Sequence, residues 1–420
     1  MENAFERNLN RYAELIIHVS LNLQPGQRLI IGVPETNTGA PLESAPLVRL
    51  LVEKAYQRGA SLVDVIWGDE VLLLKRLKYA APDTLDQVSA WKAQALLETA
   101  QSGGAFLFVV GNDPDLLKDQ NPENIARIQQ AVLKSLEPAL EYLNRSAINW
   151  SVIAASTPGW AAKVLPDLPS DQQVPALWDK IFSMCRVYAD DPVRAWEEHG
   201  QQINARCAYL NQKKYASLKL RGPGTDVTIG LPAGHIWGSA FTKRQDGLPY
   251  VANIPTEEIF TLPHKEKVDG RIKATMPLSY GGALMDEITI SFEQGRVVRA
   301  QARQGESVLQ QLLKTDEGAS RLGEIALVQH SSPIAQMGTL FYNILIDENA
   351  ATHCALGAAY KFTLEGGAGM TDEEFAAAGG NTSIMHVDFM LGSDQMNVDG
   401  ITADENAEPV MRAGEWAFDV

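Results

Sequence analysis

The first half of the chain alternates short apolar runs with stretches whose apolar residues recur at helical spacing. The apolar runs predict buried strands over residues 28–33, 61–66, 105–110 and 147–153. The helical spacing predicts helices over residues 4–21, 47–58, 86–101 and 124–136. Because strands that alternate with helices are joined by crossovers, this half predicts an α/β domain with a mostly parallel sheet.

The pattern changes near residue 190. A helix-like stretch covers residues 192–210, and short strands with turn signals follow from Lys214. The second half therefore predicts an α+β domain with antiparallel strands. We place the boundary in the helix, which gives an N-terminal α/β domain over residues 1–205 and a C-terminal domain over residues 206–420.

Three glycine-containing pairs in the second half resemble turns. Gln294-Gly295 separates an alternating run over residues 288–293 from a second run over residues 296–302, which predicts a hairpin. Asp269-Gly270 and Asp399-Gly400 predict further turns.

Composition excludes several classes of protein. The net charge of −16 repels a phosphate backbone, so nucleic acid is not an expected partner. The cysteines Cys185, Cys207 and Cys354 are odd in number and widely spaced, which argues against a disulfide framework or a thiolate zinc site and favours a reducing compartment. The first residues do not resemble a signal peptide, and no apolar run is long enough to cross a bilayer. We expect a cytoplasmic protein without a membrane partner.

Several catalytic motifs are missing from the sequence. Neither GxGxxG nor GxxxxGK[ST] follows any predicted strand, so a nucleotide-binding first half is poorly supported. The zinc motif HExxH and the nucleophile motif GxSxG are absent as well. Any catalytic site must therefore come from a less common arrangement of side chains.

His386-Val-Asp388 is the clearest local arrangement. In a strand, residues two apart point to the same face, so His386 and Asp388 can bind one ion together. Imidazole with carboxylate suits zinc, manganese or cobalt better than calcium. The tripeptide alone is common by chance and carries little weight.

A second arrangement contains Glu348, His353 and Tyr360. If this stretch is helical, Glu348 and His353 lie about 140° apart around the axis, and a helix start between them brings them closer. Tyr360 then lies two turns after His353, on the same face.

Two further acidic positions adjoin apolar runs. Glu257-Glu258 precedes one run, and Glu324 lies at the head of another. A charged side chain there is exposed, paired or metal-bound, because burying an unpaired charge costs roughly several kcal/mol. Each acid alone is most simply explained as a solvated residue, so only the combination indicates a site.

Four ordered segments between residues 252 and 393 resemble the M29 family of metallo-aminopeptidases, the aminopeptidase T and aminopeptidase S group. They read ANIPTEEIFTLPH, GEIALV, GTLFYNILIDENAATHCALGAAY and GGNTSIMHVDFMLGS. The resemblance implies two divalent metal ions per chain. The ligands it implies are Glu258, Glu324, Glu348, His353, His386 and Asp388. The motif does not cleanly separate Glu257 from Glu258, and the alignment with the later ligands favours Glu258.

The resemblance implies an exopeptidase that hydrolyses N-terminal amino acids from peptides with a water activated by both metals. Four carboxylates and two histidines give a ligand charge of about −4, which balances two divalent ions. Tyr360 matches a family tyrosine and is a candidate donor to the oxyanion, and Glu257 is a candidate proton shuttle. Cobalt, zinc and manganese all suit these ligands, and the family implies a homodimer.

Two alternatives stay open. The same ions serve a hydrolase of non-peptide amides or esters, and the ligands also suit a non-catalytic metal-binding protein. One departure is visible, because Asp404-Glu405-Asn406 replaces the Asp-Gly that family members tend to carry in a hairpin near the C-terminus. No implied ligand lies there.

Overall fold

The computed structural model describes residues 3–34, 39–280 and 283–420. Met1 and Glu2, part of the segment compared with signal peptides, lie outside these residues. The chain forms two compact units. Unit one holds the described residues up to His199 together with Ala240–Pro255, and unit two holds Gly200–Ser239 and Thr256–Val420. The chain leaves unit one after His199 and re-enters it at Ala240. The linear division at residues 205 and 206 stays a prediction.

Unit one contains a five-stranded parallel sheet, which confirms the predicted α/β class. Its strands, in spatial order, are Asn253–Ile254, Trp150–Ala154, Ala105–Val110, Arg28–Ile31 and Leu62–Val65. The central strand reads Ala-Phe-Leu-Phe-Val-Val and is buried almost throughout, as expected for a sheet covered on both faces. The edge strand Asn253–Ile254 lies within Tyr250–Ile254, a stretch whose apolar residues already indicate a strand.

Helices surround this sheet at the predicted places and at three others. The α-helices are Ala4–Leu15, Ala45–Gln57, Glu70–Tyr79, Ala90–Gln101, Pro122–Asn144, Pro158–Val164 and Ser170–Met184. The first is started by a capping box between Asn3 and Glu6 and continues as a π-helical turn over Ile16–Ser20. The helix Pro192–Lys213 begins in unit one and ends in unit two. None of the described helices is long and apolar enough to span a membrane.

Unit two contains an eight-stranded antiparallel sheet, which confirms the predicted antiparallel class. Its strands, in spatial order, are Arg296–Gln301, Thr289–Glu293, Val268–Lys273, Thr225–Gly230, Ser217–Gly222, Asn397–Ile401, Ala407–Arg412 and Glu415–Trp416. The hairpin at Gln294-Gly295 is confirmed, with both residues at positive φ. Asp404-Glu405-Asn406 lies in the connection between two paired strands, so a hairpin forms there without Asp-Gly.

The turns predicted at Asp269-Gly270 and Asp399-Gly400 are wrong, because both pairs lie inside strands. Gly270 has a φ of 124°, and a Cβ built on it would lie 2.3 Å from the carbonyl oxygen of Asp226 on the neighbouring strand. This glycine therefore allows close approach of two backbones and does not reverse the chain.

A four-stranded antiparallel sheet completes unit two. Its strands, in spatial order, are Ile259–Thr261, Leu322–Leu327, His353–Gly357 and His386–Met390. Unit two also contains the strand pair Leu278–Tyr280 with Ala283–Met285 and the short α-helices Glu306–Leu312, Ile344–Asp347 and Asp372–Ala377. In unit one, Phe241–Lys243 pairs with Pro249–Val251 and Ala40–Pro41 pairs with Trp67–Gly68.

Candidate metal centre

Side chains from three adjacent strands share one face of the four-stranded sheet. Glu324 lies opposite Ala355, and Ala355 lies opposite Asp388. Residues directly opposite share a face, and residues two apart on a strand share it too, so His353 and His386 join the row. Ala355 places only a methyl group between the two carboxylates. The register therefore gathers two acids and two imidazoles on one face.

The distances show two triads joined by one carboxylate. Nε2 of His353 lies 3.2 Å from Oε2 of Glu258 and 3.5 Å from Oε1 of Glu324. Nε2 of His386 lies 3.7 Å from Oε2 of Glu324 and 3.4 Å from Oδ1 of Asp388. Within each triad, the candidate ligand atoms all lie within 4.8 Å of one another. Each oxygen of Glu324 thus faces a different histidine.

Glu258 and Glu348 reach the cluster from outside the strands. Glu258 directly precedes Ile259, which pairs with Leu327 at the far end of the strand that carries Glu324. Glu348 begins a single 3-10 turn at the end of the helix Ile344–Asp347. Desolvation and the nearby carboxylates of Glu258 and Asp388 raise the pKa of Glu348. Glu348 is not a member of either triad, but its carboxylate interacts with the same cluster.

The stretch from His353 to Tyr360 is not helical, so the helical spacing considered for its side chains does not apply. His353–Gly357 is a fully buried strand, and Tyr360 lies in the loop that follows it. The stretch is rich in alanine, which favours helix, but hydrogen bonding to strands on both sides overrides that local preference. Tyr360 therefore approaches the cluster through a turn of the chain and not along a helical face.

Backbone carbonyls orient both imidazoles. Nδ1 of His353 lies 3.0 Å from the oxygen of Ala351, and Nδ1 of His386 lies 2.7 Å from the oxygen of Ala358. A carbonyl can only accept, so Nδ1 carries the proton in each ring and Nε2 faces the carboxylates. Hydrogen bonding of the distant ring nitrogen in this way is the usual support of a metal-binding histidine.

The electrostatics of the cluster suit a divalent cation. In the described chain, Glu258, Glu324 and Asp388 form ion pairs only with the two histidines. Oε2 of Glu258 and Oδ1 of Asp388 are buried without a hydrogen bond of acceptable geometry. Burial opposes the charge on His386, yet Asp388 and Glu324 raise its pKa to about 9. Buried oxygens without donors, together with imidazole nitrogens, are the ligands that a divalent transition metal takes.

The sequence matches a known family along nearly its whole length. A family model described as thermophilic metalloprotease (M29) matches residues 5–416. The chain belongs to the M29 family. The family predicted from four short motifs is confirmed, and the match extends through unit one.

Named M29 relatives cover the chain from end to end. Aminopeptidase T from Thermus thermophilus is 44% identical over 414 residues, which is 99% of either chain. Aminopeptidase AmpS from Bacillus subtilis is 42% identical over 416 residues, covering 99% of this chain and all of the relative. The solved structure of wild-type AmpT from Thermus thermophilus, 44% identical, has a TM-score of 0.92 over 99% of this chain and 100% of that one. The predicted two-part fold is therefore the M29 fold.

A more distant structure shares the fold alone. A 2,5-dihydroxypyridine dioxygenase from Pseudomonas putida has a TM-score of 0.50 over 99% of this chain and 97% of its own, at 12% identity. At that identity, the likeness indicates architecture and says nothing about chemistry.

Tyr360 lies beside the cluster on the solvent side. Its ring centroid is 5.0 Å from that of His386, and the residue is 44% exposed. Desolvation of the hydroxyl and the carboxylates of Glu324 and Asp388 raise the pKa of Tyr360. The structure therefore brings the phenol into the electrostatic field of the triads, and its catalytic role stays a prediction.

Glu257 lies next to the cluster but in neither triad. Its side chain is buried, and its backbone N–H donates to Oδ1 of Asn349 at 2.7 Å. The guanidinium of Arg206 lies near enough for Glu257 to stabilise its charge, although burial lowers the pKa of Arg206. Of the adjacent pair, only Glu258 belongs to a triad.

Sequence reasoning missed Asn349, Ala355 and Arg206. Asn349 directly follows Glu348 in the longest matching motif, and Ala355 lies two residues after His353. Had that segment been recognised as a strand, period two would have placed Ala355 on the face of the ligands. No local signal connects Arg206 with Glu257, since 51 positions separate them.

Proposed function

We propose that the chain is a metal-dependent aminopeptidase that removes N-terminal amino acids from peptides. The observation that carries the proposal is the pair of triads joined by Glu324, in an M29 chain whose named relatives are aminopeptidases. The proposed ligands are Glu258, Glu324, Glu348, His353, His386 and Asp388.

The arrangement and charge of the proposed ligands support two ions per chain. Each oxygen of Glu324 faces a different histidine, so Glu324 would contribute to holding both ions. Four carboxylates supply a charge of about −4, which two divalent ions balance. Cobalt, zinc and manganese all accept such mixed oxygen and nitrogen ligands.

The chemistry divides between the metals and the chain. When bound, such ions polarise the scissile carbonyl and make a water more acidic. Tyr360 is proposed to donate a hydrogen bond to the carbonyl oxygen as it gains charge. Glu257 is proposed to take a proton from the attacking water and return it to the leaving amine. The guanidinium of Arg206 places a positive charge near Glu257.

A free α-amino group has a nitrogen lone pair that one of the bound ions would hold, so the metal centre favours the end of a peptide chain. A chain end is thereby distinguished from the interior of a peptide. We further propose a homodimer and a cytoplasmic location, which the family resemblance and the cysteine usage support.

Hydrolysis of Leu-Gly-Gly and of N-acetyl-Leu-Gly-Gly tests this proposal. Protein stripped with a chelator is assayed alone and after addition of Co²⁺, Zn²⁺ or Mn²⁺. The free peptide should lose leucine only with metal, and the acetylated peptide should stay intact. Cleavage of leucinamide and simple esters, without cleavage of either peptide, would indicate a hydrolase of non-peptide substrates. Inactivity with every metal, at full metal content, would indicate a metal-binding protein without catalysis.

A further inference from the structure

Three aromatic rings form a surface that begins at the candidate metal centre. We call Phe260, Tyr360 and Phe362 the aromatic shelf. The ring centroid of Phe362 lies 5.4 Å from that of Tyr360 in a stacked arrangement, and Phe260 lies 6.0 Å from each. Tyr360 in turn lies 5.0 Å from His386. The shelf is therefore continuous with the proposed ligands.

The outer part of the shelf is exposed to solvent. Phe260 is 8% exposed, but Tyr360 is 44% exposed and Phe362 51%. An exposed phenylalanine ring leaves apolar area in water, and contact with an apolar side chain removes that area. The shelf thus offers apolar area directly beside a strongly acidic cluster.

Hydrogen bonds hold the backbone on both sides of the shelf in place. Phe260 exchanges two backbone hydrogen bonds with Gly238, at 2.9 and 3.0 Å. Ile236 donates to the oxygen of Thr363 at 2.7 Å, and Oγ1 of Thr363 donates to the oxygen of Tyr360 at 2.6 Å. A surface fixed in this way loses little entropy when a ligand packs on it.

The charged side chain closest in sequence to the shelf is engaged by groups outside the shelf. Lys361, between the two exposed rings, pairs with Asp372 at 2.8 Å and donates to the oxygen of Met370 at 2.9 Å. Its ammonium group is thereby engaged on the side of the helix Asp372–Ala377. The shelf itself consists of uncharged rings.

We propose that the aromatic shelf binds the side chain of the substrate's N-terminal residue and gives the enzyme a preference for large apolar residues there. The inference rests on the proposed aminopeptidase function. The N-terminal side chain is attached next to the scissile carbonyl, so it must lie within one side chain's length of the metals. The shelf meets that condition at Tyr360 and extends outward through Phe362.

The test compares Phe362→Ala with wild type on three peptides: Phe-Gly-Gly, Ala-Gly-Gly and Ala-Phe-Gly. The ratio of kcat/KM for Phe-Gly-Gly to that for Ala-Gly-Gly should fall by about 10-fold, the size expected for a lost apolar contact. Phe362→Leu should restore part of the ratio. Val298→Ala, an equally exposed apolar residue on the strand Arg296–Gln301, should leave every value unchanged.

An unchanged ratio in Phe362→Ala would overturn the inference. So would a loss confined to Ala-Phe-Gly, which would assign the shelf to the second residue of the substrate. A change in molar mass by light scattering in Phe362→Ala, with no change in the ratio, would show that a second copy of the chain covers the rings instead.

Calorimetric binding of free L-phenylalanine and L-alanine to metal-loaded protein separates this inference from the proposed function. If the wild type hydrolyses no peptide, the aminopeptidase proposal fails. The shelf is then still supported if phenylalanine binds more tightly than alanine and Phe362→Ala removes the difference. Equal binding of the two amino acids by wild type would count against the shelf whatever the enzyme does to peptides.

Discussion

The side chain of Asn349 accepts the backbone N–H of Glu257 through Oδ1 at 2.7 Å. Its Nδ2 donates to the oxygen of Leu345 at 3.0 Å and lies 3.5 Å from Oε1 of Glu348. Asn349 is fully buried, so these bonds are protected from water. One amide group therefore joins the segment that carries Glu258 to the helix end that carries Glu348.

Replacing Asn349 by alanine should lower metal affinity by about 10- to 100-fold, because groups that orient ligands have effects of that size. Competition with a chelating dye measures the change. Asn149→Ala is a matched control, since Asn149 is equally buried but binds the oxygen of Leu21 in unit one. The control should lose stability and keep its metal affinity. Equal metal affinities in both variants and wild type would contradict the positioning role.

Glu324→Gln should reduce binding of both ions, whereas Glu258→Gln should chiefly weaken one. The reason is that Glu324 belongs to both triads and Glu258 to one. Metal per chain after dialysis, measured by elemental analysis, distinguishes the two variants. Glu373→Gln, an exposed acid on the helix Asp372–Ala377, should keep the wild-type content. Full occupancy in Glu324→Gln would rule out a bridging carboxylate.

Tyr360→Phe should lower kcat by about 10²-fold with metal content intact, since removal of one oxyanion donor has roughly this effect. The ring is kept, so the aromatic shelf is undisturbed. Tyr79→Phe, an exposed tyrosine of unit one, controls for loss of a hydroxyl. Steady-state kinetics on Leu-Gly-Gly decide the matter, and unchanged turnover would eliminate Tyr360 as a catalytic group.

Gly357→Ala should disturb both the loop to Tyr360 and the strand of His386. Gly357 has a φ of 105°, and a Cβ there would lie 2.1 Å from the oxygen of Met385. We expect the free energy of unfolding to fall by about 1–3 kcal/mol or more, and metal binding to weaken. Gly103→Ala separates the backbone strain of positive φ from the steric clash. Gly103 also has positive φ, but a Cβ built on it meets nothing within 4 Å. Thermal denaturation and metal titration of both variants provide the measurement.

Removal of metal should lower the melting temperature by at least about 5 °C, because ions that bind only the folded state stabilise it by mass action. Oε2 of Glu258 and Oδ1 of Asp388 are buried without hydrogen bonds. Without metal, the free-energy cost of burying these oxygens is therefore not fully compensated. Calorimetric scans before and after chelation, then after addition of Zn²⁺, measure the shift. In Glu324→Gln the same treatment should produce a smaller change.

Much of this arrangement follows from local patterns in the sequence. Apolar runs such as Ala105–Val110 specify buried strands because burial on both faces removes the need for alternation. The strand period places His386 and Asp388 on one face, as the structure confirms. Both conclusions depend only on residues that are neighbours in sequence.

The geometry of the candidate ligands depends on the tertiary structure. The segment from Glu348 to Tyr360 has a helical composition, but pairing with Leu322–Leu327 and His386–Met390 makes its central part, His353–Gly357, a strand. That pairing places Glu324 opposite Ala355 and creates the two triads. The aromatic shelf likewise joins Phe260 to a loop about a hundred residues later. Local periodicity fixes which face of an element a residue occupies. Register between strands distant in sequence fixes which faces meet, because it depends on hydrogen bonds and packing between segments far apart in the chain.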